Sequence, residues 1–65
     1  MRVKDILYKC DSNVKVAVVD TICDMYMLTS DYVGFHLTKN HWVLDEQVTE
    51  IHIKDNVLVL CVEVE

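Results

Sequence analysis

Val3, Ile6, Leu7 and Cys10 recur at the spacing of one face of a two-turn helix, with Lys4, Asp5 and Lys9 off that face. Two turns cannot stand alone in water, so this face must pack on something. Asp11-Ser12-Asn13 ends the pattern with turn-forming residues. Over Val14–Asp20 the period changes to two. Val14, Val16 and Val18 point one way, and Lys15, Ala17 and Val19 the other. The second face is mostly apolar too, which predicts a central or covered strand. Thr21–Asp24 is a turn and Met25–Thr29 a second strand, so residues 14–29 are expected to form a hairpin without a turn glycine.

Residues 30–46 break the alternation. Ser30 and Asp31 are placed to cap a helical turn in which Tyr32, Phe35, His36 and Lys39 share a face. Gly34 weakens that helix by about 1 kcal/mol, and an irregular loop with one short helix is an equal alternative. Trp42, Val43 and Leu44 are expected to return the chain to the core. Gln47–Lys54 then alternates cleanly: Thr49, Ile51 and Ile53 on one side, Glu50, His52 and Lys54 on a wet side. Asp55-Asn56 fits a two-residue hairpin loop, because both residue types tolerate the positive φ of a type I′ turn. Val57–Glu65 is the last strand. Leu58, Leu60, Val62 and Val64 form one apolar face, and Val57, Val59 and Cys61 the other until Glu63 and Glu65.

These elements predict a mainly β fold with a short N-terminal helix: a small twisted antiparallel sheet of four to five strands, or an SH3-like barrel. With 65 residues there is room for one domain. A chain this short buries only about 60% of its unfolded surface and usually needs a disulfide, a metal or a partner copy. Its three cysteines, Cys10, Cys23 and Cys61, cannot all pair within one chain and match no metal-binding spacing, so they are read as small buried apolar residues. A homo-oligomer is therefore expected, with Val57, Val59, Cys61, Glu63 and Glu65 of the last strand as its protein interface.

Eleven acids against six Lys and Arg give a net charge of −5, which argues against nonspecific nucleic-acid binding. Arg2 and Lys4 are followed by Asp5 with no apolar stretch behind them, and no run is long enough to span a bilayer, so a cytoplasmic protein with no membrane contact is expected. His36 and His41, with Asp31 and Asp45 nearby, lack zinc-site spacing. No nucleophile elbow or phosphate-binding glycine loop occurs. No metal, cofactor or catalytic residue is predicted, and the chain is read as a non-enzymatic protein. The mixture of rings and polar donors at Tyr32, Phe35, His36, Lys39, His41 and Trp42 suits recognition of a small nucleotide-like ligand. Asp45, Glu46, Glu50, Glu63 and Glu65 offer the alternative of an acidic patch that engages a basic partner protein, in the manner of a nucleic-acid mimic. A structural or assembly module is the third reading.

The hairpin carried by Val48, Ile51, Ile53, Asn56, Leu58 and Val62, together with Asp5-Ile6-Leu7 and Cys10–Val16, resembles short β-rich proteins of Firmicutes bacteria and their phages. The resemblance implies a bacterial or phage-infected host cell. It also implies a viral anti-defence role, either sequestering a nucleotide signal between subunits or blocking a host protein. It assigns no functional residue.

Overall fold

A computed structural model describes residues 1–64. Its elements are helix α1 (Val3–Lys9), strands β1 (Lys15–Asp20) and β2 (Met25–Tyr32), helix α2 (Val33–Lys39), a 3-10 turn (Trp42–Asp45), and strands β3 (Val48–Lys54) and β4 (Val57–Val62). The strands form one sheet in the order β2-β1-β4-β3. The mainly β reading with a short N-terminal helix and four strands holds.

Both hairpins form where turn chemistry allows them. Asp55 and Asn56 take φ values of 53° and 64°, as a type I′ turn requires. In the first hairpin Asp24 supplies the left-handed residue, φ 55°, that a glycine would ordinarily fill. That turn is tied down by Asp20, a buried carboxylate that accepts hydrogen bonds from the backbone N–H of Ile22 (3.0 Å) and of Val64 (3.4 Å).

The two hairpins join through β1 and β4, which run parallel, with Val16, Val18 and Asp20 beside Leu58, Leu60 and Val62. The expected all-antiparallel sheet or barrel is therefore corrected to an open, mixed sheet. The physical reason is the segment between the hairpins: α2 and the 3-10 turn carry the chain from one edge strand, β2, to the other, β3, so that β4 returns between them.

α1, α2 and the 3-10 turn pack on a single side of the sheet. Val3, Ile6 and Leu7, Val33, and Val43 and Leu44 share one buried cluster with Val16, Val18, Leu28, Leu60 and Val62. In α1 the Asp5 carboxylate accepts from the Arg2 N–H at 3.1 Å, closing the first turn. The start of α2 is different from the expected Ser30–Asp31 cap. β2 continues to Tyr32, and the Val14 and Ser12 carbonyls accept from the N–H groups of Val33 and Gly34 at 2.9 and 3.2 Å. Backbone thus does what a capping side chain does elsewhere.

Three further expectations are corrected. Tyr32, Phe35, His36 and Lys39 do not share a face, since His36 is buried while Phe35 and Lys39 lie outside, the Lys39 ammonium 4.7 Å from the Phe35 ring. Trp42 stays out of the core, with the His41 ring 5.3 Å away, while Val43 and Leu44 enter it. The last strand stops at Val62 rather than at Glu65, which lies outside the described residues.

Candidate functional site

With every described helix on one side, no element among the described residues covers the other side of the sheet. That face is built by residue alternation. Ala17 lies beside Val59 and Val19 beside Cys61 in the parallel β1–β4 pair. His52 lies opposite Val59, Glu50 opposite Cys61 and Lys54 opposite Val57 in the β3–β4 hairpin. β2 adds Tyr26, opposite Val19. None of these side chains belongs to the helix-side core cluster.

Within this face lies an open depression of about 360 Å³ lined by Ala17, Tyr26, Thr29, Ser30, Lys54, Asp55, Val57 and Val59. Its volume is at the low end of small-ligand sites. Ala17, Val57 and Val59 supply an apolar floor. The ring of Tyr26 and the hydroxyls of Thr29 and Ser30 come from one rim, and Lys54 with Asp55 from the other. The floor is low because position 17 is alanine, flanked by valines on the neighbouring strand.

Beside the depression, Glu50, His52 and Cys61 bring one carboxylate oxygen, one imidazole nitrogen and one sulfur within 4.8 Å of one another. The Glu50 carboxylate lies 2.9 Å from His52 Nε2. These donor types suit zinc, and among the described residues the group numbers three members. Burial pushes the Cys61 thiol up, and the charge of Glu50 pushes it further. Cys23, exposed in the first turn, is also pushed up, first by its hydrogen bond to Asp20 and then by the charge of that carboxylate.

The residues singled out from sequence fall into two groups. Val57, Val59 and Cys61 do share the uncovered face, with Val57 and Val59 in the depression itself. They line a strand whose two edges are both paired, so only its face is available. Glu63 is exposed beyond the strand. Tyr32, Phe35, Lys39, His41 and Trp42 lie elsewhere, and none of them lines this depression. Tyr32 has the Lys15 ammonium 5.5 Å from its ring. His41 is used structurally, its Nδ1 accepting from the Val43 N–H at 3.1 Å. His36 is fully buried, with Nε2 2.7 Å from the Val16 carbonyl oxygen, and is corrected from ligand contact to core residue.

Tyr26, Thr29 and Ser30 were not legible as site residues. Tyr26 and Leu28 are two apart, which in a regular strand puts them on one face. The register slips between Val18 and Val19, so Leu28 enters the core and Tyr26 the opposite face. No described helix is long and apolar enough to cross a membrane. No family model, no curated protein and no solved structure matches the chain.

Proposed function

We propose that this is a non-enzymatic binding protein whose uncovered sheet face takes a small, flat, nucleotide-like ligand in the depression between Tyr26 and Lys54. The observation that carries the reading is the composition of that depression. It combines an apolar floor of Ala17, Val57 and Val59 with one aromatic ring, two hydroxyls and one ammonium at the rim. A floor of small side chains admits a planar ring, Tyr26 offers a stacking partner, and the rim groups can hydrogen-bond polar substituents. The resemblance to short phage proteins extends the proposal to sequestration of a nucleotide-type signal in an infected cell.

Thermal-shift measurements against nucleosides, nucleoside monophosphates and cyclic nucleotides test the reading. A ligand of this class should raise Tm, and Tyr26→Ala should abolish the shift without loss of fold, since Tyr26 is exposed. Stabilisation that survives Tyr26→Ala, or no stabilisation by any compound of the class, contradicts it.

A further inference from the structure

Strand β3 is an edge strand, and its outer edge is open along most of its length. The N-terminus covers only its beginning: Arg2 bridges to Gln47, and the Met1 carbonyl accepts from the Val48 N–H at 2.9 Å. Beyond that point the hairpin register decides which backbone groups are free. A two-residue loop makes Lys54 and Val57 the closing hydrogen-bonded pair, and bonding then alternates along the strands. Glu50, His52 and Lys54 therefore turn their N–H and C=O groups toward β4, and Ile51 and Ile53 turn theirs to the open edge.

The side chains at this edge are unusual for a strand left open. Ile51 is 52% exposed and Ile53 78% exposed, although their partners Leu60 and Leu58 belong to or pack against the core. The helical layer does not reach over them. Proteins commonly guard an open edge with inward charges, proline or bulges. The opposite edge, β2, has two register shifts in its pairing with β1. β3 has only one, at its start between Val48 and Glu50, and runs regularly from Glu50 to Lys54.

We infer that β3 pairs antiparallel with β3 of a second copy of this chain about a twofold axis at His52, joining two sheets into one of eight strands. The sequence of β3 is complementary to itself in this register. Ile51 lies opposite Ile53 of the other copy, both with outward backbone groups, so the pairing forms hydrogen bonds and covers the exposed isoleucines together. On the other face Glu50 lies opposite Lys54, twice by symmetry. Among the described residues Lys54 has no ion-pair partner within its own chain. Shifting the axis to Ile51 instead sets Ile53 against Thr49, the residue at the register shift, and leaves Lys54 facing Val48. The His52 axis therefore satisfies both faces and the Ile51 axis only one. The pairing also brings Glu50 of the partner subunit to the Lys54 rim of the depression, while resting on none of the ligand chemistry proposed above.

Sedimentation velocity over a range of protein concentrations, with EDTA and reductant present and no ligand, tests the inference. Wild type should sediment as a dimer at high concentration and dissociate on dilution. Lys54→Glu places like charges opposite each other twice and should weaken association by about tenfold or more. The double variant Glu50→Lys/Lys54→Glu restores the complement and should recover association. In a Cys10→Ser/Cys23→Ser/Cys61→Ala background, His52→Cys should form a disulfide between the two copies on oxidation, because directly opposed residues of a non-hydrogen-bonded pair lie about 4.5 Å apart at Cα. A wild-type monomer at every concentration, a Lys54→Glu variant that associates as wild type does, no recovery in the double variant, or no His52→Cys cross-link each overturns it.

Discussion

The imidazole of His36 donates from Nε2 to the backbone carbonyl of Val16 across 2.7 Å, and both residues are fully buried. The carbonyl fixes the tautomer, since it can only accept. Val16 stands where the β1–β2 register first slips, so the ring supplies a hydrogen bond beside an irregularity in the sheet and pins α2 to the central strand. Nδ1 has no partner among the described residues. His36→Leu keeps the bulk and leaves the Val16 carbonyl without that donor. It should cost about 1–3 kcal/mol, read as a Tm lower by about 4–8 °C for each kcal/mol. An unchanged Tm would mean that the bond contributes nothing to α2 docking.

Asp20 governs the acid limit. Burial pushes its carboxyl up, but the hydrogen bonds from Ile22, Val64 and Cys23 together outweigh this and hold it below its ordinary value. A carboxyl lowered in the folded state contributes stability that is complete above the ordinary carboxylate range. That stability is lost as pH falls through the folded value. Unfolding midpoints in urea should therefore drop below about pH 4. Asp20→Asn should be less stable near neutrality and show a shallower acid slope. The slope that remains includes Asp45, lowered chiefly by its hydrogen bond to Lys4. Equal slopes for the two proteins would contradict this assignment.

The same carboxylate controls Cys23. Its hydrogen bond and charge push the thiol up, so alkylation of this exposed cysteine by iodoacetamide should be slow for its exposure. Asp20→Asn should accelerate it at mildly alkaline pH, as followed by intact mass. Cys61, buried on the sheet, should remain unlabelled in the folded protein.

The β3–β4 loop offers a gain in stability. Asn56 holds φ at 64°, where glycine has no Cβ penalty. Asn56→Gly should stabilise the protein by about 0.5–1 kcal/mol, and Asn56→Val should destabilise it by about 1–2 kcal/mol. Chemical denaturation of the two variants reads both signs.

Much of this fold was legible in the sequence, and the parts that were not have identifiable causes. The spacing of Val3, Ile6 and Leu7 announced α1, and the alternation around Asp55-Asn56 announced the second hairpin, because both signals are local. The parallel contact of β1 with β4 was not legible: an apolar strand reads the same whichever neighbour it takes. Trp42 and His36 exchanged their expected places because hydrophobicity alone ranks tryptophan inside and histidine outside. The hydrogen bond from His36 Nε2 to the Val16 carbonyl gives this histidine a partner in the core. Of the residues lining the depression, the sequence singled out only Val57 and Val59, and as a protein interface rather than a ligand site. Tyr26, Thr29 and Ser30 were hidden by bulges that break the period of two.

Titrating the 15N-labelled protein with nucleotides and following its amide resonances tests the binding face most directly. The account predicts shifts concentrated at Ala17, Tyr26, Thr29, Ser30, Val57 and Val59. Shifts concentrated at Phe35, Lys39 and Trp42 on the helical side, or no shifts with any nucleotide, would contradict it.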